Sequence, residues 1–263
     1  MKVVGQVESL WRYPVKSMRG EELREAFVGF AGVYGDRLYA FHSSAARKGF
    51  PFFTGREQER MLLHRATYRN ADSMAKPPNL AEAEGIPPGA TPVYAGSSDL
   101  MVDVETPEGQ SFAIDDPGLI SKLREGIRDA HELTLHRSDR AMTDCRPVSL
   151  FSTNSARRLG EELGTDVDKR RFRANIYLNL ESGNAFSEDA FVGHQLRVGD
   201  KTVIAVTDQD PRCKMITLDP DTAQAKPELM RLVSESHDGK AGVYGAVVTE
   251  GTVRQGDEVV LLD

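Results

Sequence analysis

The stretch Thr202-Val-Ile-Ala-Val-Thr-Asp-Gln-Asp-Pro-Arg-Cys213-Lys-Met-Ile-Thr-Leu-Asp-Pro-Asp221 combines a strand, a polar turn and a single cysteine. Its β-branched start predicts a β-strand over residues 202–207 that leads into the turn. The turn places Cys213 between two cations, Arg212 and Lys214. Such neighbours favour the thiolate, which is both a nucleophile and a soft metal ligand. We therefore expect the rest of the chain to present this sulfur beside an anion site.

Short strand-like runs between glycine and proline turns fill most of the chain on either side of this stretch. Alternation predicts the clearest strand over residues 171–180, with Arg171, Arg173 and Asn175 on one face. Helices are predicted after Asp116, after the cap residues 152–154, and over residues 227–236. Many short strands favour a barrel or sandwich, so the expected fold class is mainly β with short helices (α+β). Further strands are predicted over residues 3–13, 21–27, 36–41, 56–70, 133–137, 242–249 and 257–262, with a hairpin over residues 99–115.

Composition limits the classes of function. The chain has 263 residues, 40% of them hydrophobic, and a formal net charge of −7, which argues against general binding to nucleic acid or to an anionic membrane. No run of about 18 apolar residues predicts a membrane-spanning helix, and the first residues read as a strand, not as a signal peptide. Cys145 and Cys213 are the only cysteines, so a disulfide framework or a four-cysteine metal site is not expected. These features predict a cytoplasmic protein with reduced thiols.

Each candidate site residue also has an ordinary structural interpretation. Free cysteines are usually buried and inert, and Cys145 has a turn and an arginine beside it much as Cys213 does. The polar face of the strand over residues 171–180 is either solvated or a phosphate clamp built from two guanidiniums and an amide. Lys16 and Arg37 are expected at strand–turn junctions, and residues 152–154 form a helix cap that would also suit an anion. The six histidines show no His-x-x-x-His pairing.

Six short motifs, in this order along the chain, together resemble the MOSC-domain family, and more closely its two-part members of the amidoxime-reducing component type. They cover nearly the whole chain, and their order is more specific than any single motif. The motifs are Leu10-Trp-Arg-Tyr-Pro-Val-Lys-Ser-Met-Arg-Gly20, Gly35-Asp-Arg37, Phe53-Thr-Gly-Arg56, Arg171-Phe-Arg-Ala-Asn-Ile176, Cys213 followed by Thr217-Leu-Asp-Pro-Asp-Thr222, and Gly251-Thr-Val-Arg-Gln-Gly-Asp-Glu-Val259. The chain departs from the family at Asp210-Pro211, where relatives often carry a serine or a second cysteine.

The resemblance implies a β-rich MOSC N-terminal domain over residues 1–120 and a MOSC β-barrel over residues 121–263. It implies a molybdenum cofactor (molybdopterin with Mo) in a cleft, with Cys213 as the metal ligand and catalytic residue. It also implies which residues would bind the pterin and its phosphate. These are Lys16, Ser17, Arg37, Thr153, Asn154, Arg173 and Asn175. Pyridoxal phosphate is sometimes associated with the family, but no lysine context here favours a Schiff base.

The resemblance implies an oxidoreductase that reduces N-hydroxylated small molecules, N–OH to N–H. Electrons would come from a separate flavin, haem or iron–sulfur protein, because two cysteines cannot hold a four-cysteine cluster. Two alternatives stay open at this point. One is a sulfur-carrier or cofactor-delivery protein that uses a Cys213 persulfide, and the other is a pterin-binding domain without catalysis.

Overall fold

The computed structural model describes residues 1–70, 74, 76–78, 80, 100–127 and 132–262. Strands dominate this part of the chain, in agreement with the expected fold class, and three α-helices accompany them. The helices are α1 (Pro117–Leu123), α2 (Thr153–Leu163) and α3 (Pro227–Ser236). The strands are β1 (Lys2–Arg12), β2 (Glu21–Leu23), β3 (Glu25–Gly29), β4 (Gly32–Val33), β5 (Tyr39–Ser43), β6 (Phe52–Phe53), β7 (Arg65–Tyr68), β8 (Val102–Glu105), β9 (Ser111–Ala113), β10 (Leu133–Arg137), β11 (Val148–Ser152), β12 (Ile176–Leu180), β13 (Gln195–Val198), β14 (Thr202–Pro211), β15 (Lys240–Thr249), β16 (Gly251–Arg254) and β17 (Glu258–Leu262).

Seven strands close into a barrel. Their order is β12-β11-β15-β14-β13-β17-β1, and β1 pairs back with β12, while β2 adds to the outer side of β1. Alternate residues such as Val7, Leu178 and Ile204 point into a common apolar core. Closure leaves no free edge among these strands, which removes the usual site of edge-to-edge pairing. The β-barrel predicted from the sequence is therefore confirmed.

Strand β14 carries the stretch that organises the site. It runs to Pro211, four residues beyond the predicted end, and pairs with β15 along its length. Its register shifts between Val206 and Asp208 and again between Gln209 and Pro211. Such bulges bend a strand and redirect its side chains. They lead the chain out of the barrel wall to Cys213, where a short 3₁₀ turn (Lys214–Thr217) begins.

Strands from the two ends of the chain are interleaved. The N-terminal β1 belongs to the barrel, β3 pairs with β16, and β5 pairs with β10. Outside the barrel a second apolar core forms around Phe41, Met61, Val102 and Leu119. The division of the chain at residue 120 stays a prediction, because the sheets themselves cross that position.

Two predicted strands are wrong in part. The run over residues 171–180 begins with a 3₁₀ turn (Lys169–Phe172), which Asp168 caps through the backbone N–H of Arg170, and only β12 is a strand. Arg173 ends the turn in the left-handed region at φ 53°. The run over residues 56–70 likewise contains a 3₁₀ turn (Glu59–Leu63) before β7. In both cases a tight turn buries the apolar side chains as well as a strand would, so alternation alone could not distinguish them.

The local helix and hairpin signals are confirmed. Asp116 caps α1 through the N–H of Gly118, and Ser152 caps α2 through the N–H of Asn154. Helix α3 has the predicted bounds, and β8 and β9 form the hairpin predicted over residues 99–115, of which residue 99 lies outside the described residues. No helix in the described part of the chain is long and apolar enough to cross a bilayer.

Candidate functional site

A solvent-accessible cleft with a cavity volume of about 80 Å³ lies between the barrel and the second core. Both halves of the chain line it, and the predicted site residues among its walls are Lys16, Ser17, Arg37, Arg173 and Cys213. The structure therefore brings together residues that are up to about two hundred positions apart in the sequence. The rest of the site follows from how each of these side chains is held.

Lys16 is only 5% exposed although it carries a charge. Its backbone N–H donates to the carbonyl of Tyr39, and its Nζ donates to the carbonyl of Met142 at 2.7 Å and pairs with Asp144. Burial lowers the pKa of Lys16, and the nearby guanidiniums act in the same direction, while Asp144 opposes them. Next to it, Ser17 lines the cleft from a left-handed backbone position at φ 65°.

Two guanidiniums contact the buried ring of Tyr13. The Cζ of Arg37 lies 4.5 Å from the ring centroid, and that of Arg173 lies 4.3 Å from it. Arg37 also pairs with Asp36 and donates from Nη2 to the carbonyl of Arg173 at 2.9 Å. Both arginines have left-handed backbones, which cost of order 1 kcal/mol each and persist only where surrounding contacts enforce them.

Among Lys16, Arg37 and Arg173, the positive charge of Arg173 is the least compensated by neighbouring negative charge. Its Nη2 donates to the carbonyl of Met18 at 2.8 Å, but within the described residues no carboxylate lies at salt-bridge distance. Burial lowers its pKa to about 10, whereas the ion pair with Asp36 outweighs burial at Arg37 and raises that pKa. A partly buried guanidinium without a counter-ion is costly, and an anion in the cleft would relieve that cost.

The sulfur of Cys213 is contacted by a cation that is distant in sequence. Arg56 donates from Nη2 to Cys213 Sγ at 3.1 Å and to Asp144 Oδ2 at 3.0 Å. The adjacent cations are occupied elsewhere: Arg212 donates to the backbone carbonyls of Ala241 and Phe172, and Lys214 pairs with Glu59. The expectation that Arg212 and Lys214 flank the sulfur is therefore replaced by a contact with Arg56. Neighbours of an extended residue point to other sides of the chain, and Cys213 is extended at φ −140° and ψ −177°.

Sequence reasoning identified Arg56 only as part of a motif, not as a site residue. The signal that could have identified it is its position: Arg56 follows the turn-like Phe53-Thr-Gly and precedes an apolar segment. Asp144, which joins Lys16 to Arg56 across the cleft, was missed as well. It is 42% exposed, and although partial burial raises its pKa, the two cations prevail and the pKa is lowered.

Thr153 and Asn154 do not line this cleft. The hydroxyl of Thr153 donates to the carbonyl of Leu178, and the side-chain oxygen of Asn154 accepts from Arg157. The start of α2 already has an internal acceptor, because Glu188 Oε1 accepts from the N–H of Ser152 at 3.1 Å and from the hydroxyl of Ser155 at 2.7 Å. Helix starts do attract anions, but here a carboxyl group of the protein occupies the position.

Asn175 is fully buried behind the cleft. Its side chain accepts from the N–H of Ser149 at 3.2 Å and donates to the carbonyl of Trp11 at 3.3 Å. These bonds join β11 to β1 and fix Ser149, which does line the cleft. Arg171 also lines it, but its guanidinium is bonded to Asp219 and to the carbonyl of Thr217. The clamp of Arg171, Arg173 and Asn175 expected on one strand face does not form, because all three residues precede the strand, which begins at Ile176. Of the two guanidiniums, that of Arg171 is paired with Asp219, and that of Arg173 has no carboxylate partner among the described residues.

Two family models match this chain. The family model described as "MOSC domain" matches residues 137–260, and the one described as "MOSC N-terminal beta barrel domain" matches residues 4–111. Mitochondrial amidoxime reducing component 2 of Rattus norvegicus is 25% identical over 301 residues, covering 98% of this chain and 84% of the relative. Mitochondrial amidoxime-reducing component 1 of Homo sapiens is 24% identical over 311 residues, covering 100% and 84%. Among solved structures, the YUAD protein from Bacillus subtilis aligns with a TM-score of 0.49 at 11% identity, covering 99% of this chain and 97% of that one. The chain belongs to the MOSC-domain family, with a MOSC N-terminal beta barrel domain ahead of its MOSC domain.

Proposed function

We propose that the cleft binds a pyranopterin molybdenum cofactor and that the protein reduces N-hydroxylated small molecules, N–OH to N–H. Membership of the family supports a function related to the molybdenum cofactor, with which the MOSC domain is associated. Two similar proteins carry names that describe amidoxime reduction. The observation that supports the proposal is that Cys213 lines a cleft shared by both halves of the chain together with Arg173, a partly buried guanidinium that has no carboxylate partner among the described residues.

The residues present fit such a group. A pterin phosphate is anionic, and the cleft offers Lys16, Arg37 and Arg173, the last without a carboxylate partner among the described residues. Arg56 Nε is buried and has no hydrogen-bond acceptor in the described part of the chain. Charge-assisted bonds to phosphate are roughly twice as strong as neutral ones. Molybdenum in a dithiolene prefers soft ligands, and Cys213 supplies a sulfur.

Each residue then has a defined task. Lys16, Arg37 and Arg173 bind and orient the anionic parts of the cofactor, and Ser17 offers a hydroxyl at the same wall. Cys213 ligates the metal, and Arg56 positions its sulfur through the hydrogen bond at 3.1 Å. Asn175 acts behind this wall by fixing Ser149. The cofactor supplies the two-electron chemistry when it is bound. The electrons come from a separate electron-transfer protein, since two cysteines cannot hold a four-cysteine cluster.

The test is elemental analysis of gently purified protein together with turnover of an N-hydroxylated substrate under reduced viologen. We expect near-stoichiometric molybdenum in the wild type and in Cys145→Ser, whose sulfur is exposed, and loss of turnover in Cys213→Ala. Arg173→Ala should lose cofactor, whereas Arg254→Ala, at an exposed arginine on β16, should retain it. Metal-free protein with sulfane sulfur on Cys213 would replace this proposal with a sulfur carrier. Bound molybdenum without turnover would reduce it to a binding domain.

A further inference from the structure

The wall of the cleft includes aromatic rings as well as charged groups. Three aromatic side chains line it, those of Phe50, Phe172 and Tyr244. Phe172 and Tyr244 are buried, and Phe172 stacks on Phe151 with ring centroids 4.1 Å apart. Phe50 is only partly buried, so part of its ring is open to the cleft. Among the described residues of this wall, Phe50 is therefore the aromatic side chain that a bound molecule reaches most easily.

The ring of Phe50 is fixed by its neighbours, although it is not part of the apolar cores of the described residues. Phe52 contacts it edge to face, with ring centroids 5.4 Å apart and an interplanar angle of 80°. The Cζ of Arg56 lies 4.6 Å from the ring centroid, and the Nζ of Lys16 lies 5.6 Å from it. The backbone N–H of Phe50 donates to the carbonyl of Arg47 at 3.0 Å. Because the ring is already oriented, it loses little freedom when a ligand packs against it.

One guanidinium connects this ring to the sulfur. Arg56, which lies over the ring of Phe50, donates from Nη2 to Cys213 Sγ at 3.1 Å. The same Nη2 donates to Asp144 Oδ2 at 3.0 Å. An apolar aromatic surface thus lies next to a cation and a carboxylate, and all of them are close to Cys213. A molecule that complements this wall has a flat apolar end and a polar end with hydrogen-bond donors and acceptors.

The alternative is that Phe50 only covers the two cations. Both cations already have polar partners: Lys16 bonds to the carbonyl of Met142 and to Asp144, and Arg56 bonds to Asp144 and Cys213. Lys16 is also nearer to the ring of Phe52, at 4.9 Å, than to that of Phe50. A covering role would be met by any apolar side chain, whereas a role in binding requires the aromatic ring. Substitution of the ring by an aliphatic side chain therefore separates the two explanations.

Resting on the function proposed above, we propose that Phe50 determines substrate specificity by packing against the aryl group of aromatic N-hydroxylated substrates, with their N–OH group towards Cys213. An arylamidoxime has both required parts, a flat apolar ring and a polar group directly attached to it. An alkyl analogue has the same reacting group without the ring, so Phe50 does not favour it. Aromatic pairs contribute binding beyond the area that they bury, and we expect the ring of Phe50 to supply a preference of about tenfold for the aryl substrate.

Benzamidoxime and acetamidoxime test this role, because they share the reacting group and differ in the aryl ring. With reduced viologen as electron donor and rates expressed per bound molybdenum, Phe50→Leu should lower kcat/KM for benzamidoxime about tenfold, mainly through KM. It should leave kcat/KM for acetamidoxime unchanged. Phe50→Tyr keeps the ring and should keep the aryl preference. Phe112→Leu is the matched control, because Phe112 is also partly buried but lies on β9 and is not among the described residues that line the cleft.

Calorimetric titration with benzamidoxime in the absence of an electron donor supplies a readout that does not depend on turnover. Phe50→Leu should bind benzamidoxime about tenfold more weakly than the wild type and Phe112→Leu do. If Phe50→Leu fails to fold, Phe50→Met takes its place in both measurements. An aryl preference that wild type and Phe50→Leu share, or equal binding of benzamidoxime by the two, overturns the role of Phe50 alone. A molybdenum-loaded wild type that reduces neither compound overturns the proposed function and this role with it.

Discussion

Tyr13 gives the sharpest test of how the cleft is built, because its ring contacts two of the proposed binding cations. Tyr13 is 2% exposed, and the guanidiniums of Arg37 and Arg173 lie 4.5 and 4.3 Å from its ring centroid. A desolvated cation–π contact contributes about 2 kcal/mol, so the two contacts together contribute about 4 kcal/mol. The hydroxyl donates to the carbonyl of Ala174 at 3.3 Å, a bond worth about 1 kcal/mol.

Tyr13→Phe keeps the ring and should lower the free energy of unfolding by about 1 kcal/mol. Tyr13→Leu removes both cation–π contacts and leaves a gap, and should lower the free energy of unfolding by about 3–5 kcal/mol, within the range for large-to-small core changes. More important for function, Tyr13→Leu leaves each guanidinium with fewer contacts that fix its position. We expect it to lose bound molybdenum, whereas Tyr13→Phe retains it.

Urea unfolding followed by circular dichroism measures the stability, and elemental analysis of the purified variants measures cofactor retention. Tyr39→Leu is the control, because Tyr39 is also buried and donates to a backbone carbonyl, that of Leu100 at 3.0 Å, without a guanidinium over its ring in the described contacts. It should destabilise the protein but keep its molybdenum. Equal cofactor loss in Tyr13→Phe and Tyr13→Leu, or full retention in Tyr13→Leu, would refute the role assigned to the ring.

Three further predictions concern neighbouring groups. Because the folded-state pKa of Asp210 is raised from 3.8 to about 6, the folded protein binds its proton more tightly, so this group's contribution to stability falls by about 3 kcal/mol as pH rises from about 4 to 6. The difference in unfolding free energy between wild type and Asp210→Asn should fall by about 2 kcal/mol between pH 4.5 and pH 7, as measured by urea unfolding, and a flat difference contradicts the shift. Glu188→Ala should lower the free energy of unfolding by about 1–3 kcal/mol, because the start of α2 loses its acceptor. Thr153→Ala should retain its molybdenum, as measured by elemental analysis. In cofactor-free protein, Arg56→Ala should change the alkylation rate of Cys213, measured by mass spectrometry, more than Lys214→Ala does. A larger effect of Lys214→Ala would show that the cation adjacent in sequence controls the reactivity of the sulfur.

Local patterns in the sequence were sufficient for much of the fold. The caps of α1 and α2, the bounds of α3 and the hairpin of β8 and β9 depend on residues only a few positions apart, so composition and spacing determine them. The motifs that carry the family resemblance are also local. They identified Lys16, Arg37, Arg173 and Cys213, which the structure brings to one cleft.

Tertiary structure alone decided how these residues meet. The contact between Arg56 and Cys213 spans 157 positions, and the pairing of Lys16 with Asp144 spans 128. The left-handed backbone of Arg173 and the filling of the α2 start by Glu188 depend on packing that no local pattern records. The direction of a side chain and the presence of a counter-ion are set by long-range contacts, and these decide which cations are available to an anion. The sequence therefore determined which chemical groups the protein has, and the closed barrel with its bulged β14 determined which of them share a site.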